Sequence, residues 1–144
     1  MKKIKVFLGI LSMICCMNFS IGTVNAKESR NTEELYIGNA QIDPRGAYLQ
    51  KGISRISKVG SGLVRASGST DAHRTTTVSV YVRLERKVGG TWQVYASWGE
   101  QKTGTSITSY RDFSVPKGYY YRVSCSHYAG PDTSSSYTEG MFID

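Results

Sequence analysis

Two histidines and three cysteines are all that this 144-residue chain offers in nitrogen and sulfur metal ligands, and their spacing excludes the familiar metal sites. His73, Cys125 and His127 are scattered, with no H-E-x-x-H or C-x-x-C run and no calcium loop of alternating Asp and Asn. Acids are no better placed for hydrolysis by a carboxylate pair, which needs two of them about 5 to 9 Å apart in a cleft. Glu85, Glu100, Asp112 and Glu139 lie singly in different segments. A helical period of useful length is also missing beyond residue 26. These absences leave no catalytic, cofactor-binding or metal-ligating residue to name, and they favour a non-enzymatic protein.

What is present begins with an address. Lys2, Lys3 and Lys5 form a positive leader, Val6 to Ile14 an apolar middle, and Val24-Asn25-Ala26 a small-residue cleavage site, so residues 1 to 26 read as a cleavable export signal. The apolar run is broken by Ser12 and decays at Asn18 and Ser20, too short for a roughly 30 Å hydrocarbon core. Ile14 precedes Cys15, and Cys15 precedes Cys16, so no small residue stands before an acylated cysteine, and a soluble exported chain is expected, extracellular or held non-covalently at the cell surface. Cleavage removes Cys15 and Cys16, leaving Cys125 alone and no intramolecular disulfide. It also removes three of the 18 Lys and Arg, so 15 face 11 acids and the net charge falls from +7 to +4.

The remaining charge is uneven. From Arg45 to Lys87 nine cations (Arg45, Lys51, Arg55, Lys58, Arg65, Arg74, Arg83, Arg86 and Lys87) face only Asp71 and Glu85. A basic face would draw anionic wall polymers, lipid headgroups or nucleic acid through long-range electrostatics, or would simply keep the protein solvated.

Residues 27 to 44 are polar, with Glu33, Glu34, Asn39 and Asp43 around Leu35-Tyr36-Ile37, and they read as a flexible lead-in. Residues 45 to 144 read as one domain. Clusters at Gly60-Ser61-Gly62, Gly68-Ser69-Thr70, Gly89-Gly90, Gly104-Thr105-Ser106, Pro116-Lys117-Gly118, Gly130-Pro131 and Thr133 to Ser136 punctuate short runs rich in Val, Ile, Tyr, Thr and Trp. That pattern predicts an all-β antiparallel sandwich of about seven strands, immunoglobulin-like or jelly-roll-like. Weaker strands are expected at 48 to 58, 62 to 67 and 137 to 143.

The clearest strand is 76 to 86, with Val78, Val80, Val82 and Leu84 on one face and Ser79, Tyr81, Arg83 and Glu85 on the other. After Gly89-Gly90 the alternation resumes, predicting Trp92, Val94, Ala96 and Trp98 inward, and Gln93, Tyr95 and Ser97 outward. A two-residue turn would pair Val88 with Thr91 and set Leu84 opposite Tyr95, so a three- or five-residue loop is expected instead. Beyond Val115-Pro116-Lys117-Gly118, the residues Tyr119, Tyr121, Val123 and Cys125 share a face, and Tyr120, Arg122, Ser124 and Ser126 share the other. Tyr121 is predicted to bond back to the turn, as a buried tyrosine does at the corner of immunoglobulin-like sandwiches.

The segments Gly68-Ser69-Thr70-x-Ala72, Val80-x-Val82-x-Leu84-x-Arg86, Gly90-x-Trp92 and Gly118-Tyr119-Tyr120-Tyr121-Arg122-Val123 with His127 resemble a family of small secreted proteins of Gram-positive bacteria, a domain of unknown function. The resemblance spans residues 45 to 143. It implies secretion and an all-β domain, and it brings no activity, substrate or catalytic residue.

Cys125 and His127, two apart in a predicted strand, share a face, and a thiolate beside an imidazole is a recognised nucleophile. Cys125 also continues the inward face of Tyr121 and Val123, where a cysteine behaves as a small hydrophobe. The tyrosines are the richer signal. Tyr81, Tyr95 and Tyr120 are expected outward beside Arg83, Gln93 and Arg122, an arrangement suited to a glycan, an anionic wall polymer or a protein partner. The same residues also serve as cross-strand pairs on a solvated sheet face. The leading expectation is a binding module at the cell envelope using Tyr81, Arg83, Gln93, Tyr95, Tyr120 and Arg122. A secreted toxin-like protein acting on membranes is the alternative, and an extracellular hydrolase the third.

Overall fold

Apolar alternation is strongest between Val78 and Leu84, and those residues lie within the longest strand of the molecule. A computed structural model describes residues 33–144. The export signal at 1 to 26 and residues 27 to 32 of the expected lead-in lie outside the described residues. Seven strands follow in order: β1 (Leu35–Asn39), β2 (Leu49–Gly60), β3 (Leu63–Val88), β4 (Thr91–Ser114), β5 (Tyr119–Ala129), β6 (Asp132–Tyr137) and β7 (Met141–Ile143). All pairings are antiparallel, so the all-β class and the strand count stand as expected.

The pairing forms one continuous sheet in the order β1-β2-β3-β5-β6, with β4 along β3 and β7 on β5. β4 follows one side of β3, while the other side is shared by β2, opposite Leu63 to Ala72, and β5, opposite Val78 to Arg86. Between the two arms the register jumps from Asp71↔Ser106 to Thr76↔Gly104, so four residues of β3 lie against one of β4. Extra residues on one strand of a ladder bend it, and here the bend folds the sheet over its apolar face. The clusters Gly68-Ser69-Thr70 and Gly104-Thr105-Ser106, expected to end strands, are passed through by β3 and β4. The far edges then approach where β1 meets β6: a Cβ on Gly38 would stand 1.9 Å from the carbonyl oxygen of Tyr137. The sheet is nearly closed and barrel-like.

The core lies between the arms. Val78, Val80, Val82 and Leu84 meet Tyr121, Val123 and Cys125 from β5, Ile56 from β2, Val64 and Ala66 from the first arm of β3, and Met141 and Ile143 from β7. Each aliphatic side chain buried this fully contributes about 1.5–3 kcal/mol. Glycines make room for the larger groups: a Cβ on Gly52 would lie 2.5 Å from the His127 ring, and one on Gly68 would lie 2.7 Å from Cys125 Sγ. The Tyr121 hydroxyl donates to the Pro116 carbonyl at 2.6 Å, the corner bond expected from the sequence. Burial raises the pKa of this phenol, and neighbouring Arg86 opposes the rise.

Two segments depart from expectation at the edges. Leu35–Asn39, within the stretch read as a flexible lead-in, is paired residue by residue with Ile53 to Ser57 of β2. Its ladder of main-chain bonds needs no long apolar run. Thr133 to Ser136, read as a turn cluster, belongs to β6, while Gly130-Pro131 forms the two-residue link to β5.

Hairpin β3–β4 corrects the loop model. Val88 pairs with Thr91, so Gly89-Gly90 is a two-residue turn, with φ of 57° and 81°. Positive φ at both central residues is the type I′ geometry that matches strand twist. The parity problem is solved inside the strand: Leu84 pairs with Ala96 and Glu85 with Val94, leaving Tyr95 as a bulge. Every residue of β4 before the bulge therefore changes face. Trp92 joins Lys87 and Val94 joins Glu85 on the outer surface, so the expected inward placement of both is wrong, and Val94 is 57% exposed. Ala96 and Trp98 remain inward, Trp98 opposite Val82.

Candidate functional site

The face reversal at Tyr95 brings an indole to the outer surface where β5 presents Tyr120 and Arg122. Lys87, Trp92, Tyr120, Arg122, Tyr137, Thr138, Glu139 and Gly140 line a cleft of about 340 Å³ there, within the range of about 300–1,000 Å³ usual for small-ligand sites. Each wall follows from the pleat. Trp92 pairs with Lys87, Arg122 with Glu85, and Tyr137 with Ser124, all on the outward phase of their strands. Gly140 permits the closest approach, since a Cβ there would stand 3.0 Å from the indole.

Arg122 forms the floor. Its guanidinium carbon lies 4.5 Å from the Trp92 ring centroid and 5.4 Å from that of Tyr137. Its Nε donates to Glu85 Oε2 at 2.5 Å, with the two side chains 24% and 13% exposed. Two flanking rings and a carboxylate on Nε hold the guanidinium in place. Tyr120 packs at a tilt of 54° against Phe142, with ring centroids 5.1 Å apart, and Lys87 stands 5.7 Å from the indole. The cleft thus offers aromatic surface on several sides with hydrogen-bonding groups between.

Farther along the same outer face, Arg83 lies 5.6 Å from the Tyr81 ring and donates to Ser124 Oγ at 3.1 Å and Ser126 Oγ at 3.3 Å. Tyr81 covers Gly99 and, with Tyr128, borders a shallower recess. Of the six residues singled out from the sequence, Tyr120 and Arg122 are brought together in the cleft, with Tyr81 and Arg83 on the same face. Gln93 and Tyr95 are not. Gln93 pairs with Arg86, and Tyr95 packs edge-on against buried Tyr121 at 6.0 Å, on the opposite face. The nine cations between Arg45 and Lys87 do not share one face either: on β3, Arg83 and Lys87 point away from Arg86, while Arg65 is paired with Asp112 and Lys58 with Asp144.

Trp92 and Tyr137 are the wall residues that sequence patterning missed. The signal for Trp92 was the parity conflict itself: a two-residue Gly-Gly turn with one bulge resolves it as well as a longer loop. Tyr137 ends a Ser-rich strand with little pattern to mark it.

Cys125 and His127 do share a face, as expected, and both are fully buried. Burial pushes the Cys125 thiol up to about 12, away from the thiolate needed for attack. His127 is clamped, with Nδ1 2.9 Å from Thr70 Oγ1 and Nε2 2.7 Å from Ser136 Oγ. Thr70 spends its proton on the Ser79 carbonyl at 3.0 Å, so Nδ1–H donates to Thr70 and Nε2 accepts from Ser136. Neither ring nitrogen is turned to Cys125. Among the described residues no group of three or more His, Cys, Asp or Glu is placed to hold a metal ion, and no helix is long and apolar enough to cross a membrane. A recess of about 750 Å³ beside the carboxyl terminus is lined by Glu33, Glu34, Lys58, Lys117 and Asp144 and by no aromatic side chain. The chain matches no protein-family model and no curated protein.

Proposed function

We propose that the protein is an exported, non-enzymatic binding module, and that the cleft of Trp92, Tyr120, Arg122 and Tyr137 takes a unit of a cell-envelope glycan or anionic wall polymer. One observation carries the proposal: the rings of Trp92 and Tyr137 flank a guanidinium already held by Glu85, and Tyr120 lines the same cleft. Aromatic faces suit the apolar faces of sugar rings, and Lys87, Glu139 and the Arg122 N–H groups not spent on Glu85 supply partners for hydroxyls or acidic groups. Burial of Cys125 and His127 in the core adds support for a binding rather than a catalytic role. We further propose that the two arms of the folded sheet act as the layers of a sandwich, with the cleft on the outer face of one.

Retention on purified cell wall tests the proposal. Trp92→Ala, Tyr120→Ala and Tyr137→Ala should each weaken binding about tenfold, equivalent to about 1.4 kcal/mol, while melting temperatures stay near that of the unaltered protein. Equal retention of all four proteins would reject the cleft as the binding site.

A further inference from the structure

Arg86 occupies the opposite face of β3 from Arg122's partner Glu85, and it repeats the architecture of Arg122 with one part missing. Its guanidinium carbon lies 4.8 Å from the Tyr119 ring centroid and 5.5 Å from that of Tyr95. Both rings are 38% exposed. Arg122 is likewise placed between two rings, 4.5 Å from Trp92 and 5.4 Å from Tyr137, and there the edge of the guanidinium is filled by the Glu85 carboxylate. Among the described residues Arg86 has no acidic partner. Glu85, its sequence neighbour, is turned to the other face by the strand's period of two.

We infer that Arg86 is a binding residue for an external carboxylate, which takes the position at Arg86 that Glu85 takes at Arg122. The bulge at Tyr95 builds the site. It delivers a ring to this face beside buried Tyr121, while the ladder sets Gln93 opposite Arg86, with its amide available as a second donor. Two rings flank the guanidinium and the Tyr121 hydroxyl lies within its reach, so the N–H groups not turned to that phenol are left to pair with the oxygens of a carboxylate. One cation matches one negative charge: Lys87 points to the other face, so no second cation on β3 favours a doubly charged phosphate. Exposed Tyr95 and Tyr119 flank the bound group, so the carboxylate is one carried on a larger body, such as an acidic sugar or a peptide end. The site stands apart from the Trp92 cleft and does not depend on it.

Isotope-labelled protein titrated with sodium acetate and sodium glucuronate, at ionic strength held constant with sodium chloride, reads the site through the Arg86 Nε–H resonance. Both carboxylates should give saturable shifts, glucuronate at lower concentration, while chloride alone gives none and the Arg122 Nε–H stays still in acetate because Glu85 already fills its edge. Arg86→Gln should abolish the response, and Arg86→Lys should weaken it about tenfold by losing the paired hydrogen bonds. Glu85→Ala should make Arg122 respond to acetate. A non-saturable response, or one matched by chloride, would overturn the site in the unaltered protein without recourse to variants. Inorganic phosphate binding more tightly than acetate would overturn the carboxylate assignment, and a silent Arg122 in Glu85→Ala would remove the equivalence on which it rests.

Discussion

Thr70 Oγ1 and His127 Nδ1 lie 2.9 Å apart in the core, and because the threonine proton is committed to the Ser79 carbonyl, the imidazole is held neutral with its proton on Nδ1. Protonating Nε2 would set a donor against the Ser136 hydroxyl that now donates to it, in a site closed to water. Burial accordingly pushes the His127 pKa down from 6.5 to about 4. The unfolded chain takes up the proton first, so stability is fully present above about pH 6.5 and is lost as the pH falls to about 4. The loss is on the order of 3 kcal/mol at 1.36 kcal/mol per pH unit. Asp112, Asp132 and Asp144, held below their usual range by Arg65, by the Leu49 and Tyr48 amides and by Lys58, contribute a further decline only below about pH 4. Urea denaturation across pH 3 to 8 should show the higher window, and His127→Gln should remove its slope. A slope unchanged in the variant would assign it elsewhere.

Cys125 should be silent toward thiol reagents in the folded protein. With a pKa near 12, only about one thiol in ten thousand is ionised at pH 8, and the group has no exposure. Labelling by a chromogenic disulfide should proceed only at the rate of unfolding and become immediate in denaturant. Rapid modification of the native protein would contradict the buried placement.

The corner bond gives a third expectation. Tyr121→Phe keeps the ring and removes the bond to the Pro116 carbonyl, which should cost about 1 kcal/mol without changing the circular dichroism spectrum. A variant as stable as the parent would show the bond to be energetically idle.

Core glycines set a fourth. Gly52→Ala drives a methyl into the His127 ring, and Gly68→Ala drives one against Cys125, Val80 and Val82. Both should lose about 1–3 kcal/mol through overpacking. Pairing Gly68→Ala with Cys125→Ala should restore part of the loss by shortening the facing side chain, as a double-mutant cycle would measure.

Deleting single residues separates bulge from turn. Removing Tyr95 closes the bulge while preserving Leu84 opposite Ala96 and Lys87 opposite Trp92, so the shortened protein should still fold. Removing Gly90 destroys the type I′ turn and breaks the Val88–Thr91 pair, leaving a three-residue loop below Lys87 and Trp92, which should destabilise the hairpin more than closing the bulge does. Similar melting curves for the two deletions would refute the bulge assignment.

The sequence alone determined what depends on period and local chemistry. Val78, Val80, Val82 and Leu84 were placed inward and Tyr81, Arg83, Tyr120 and Arg122 outward by alternation, and Tyr121 was placed at its corner by the Pro-Lys-Gly turn before it. Tertiary structure decided what depends on counting across strands. One bulge at Tyr95 moved Trp92 and Val94 to the outer surface and Tyr95 to the inner one, because a side-chain period of two converts a single extra residue into a change of face. Likewise, the merging of segments 62 to 67 and 76 to 86 into one bent β3 came from pairing with β4, and the ordering of Leu35–Asn39 came from a main-chain ladder with β2. Neither leaves a mark in local composition. The cleft arises where an outward row legible in β5 meets an indole whose face only the register could set.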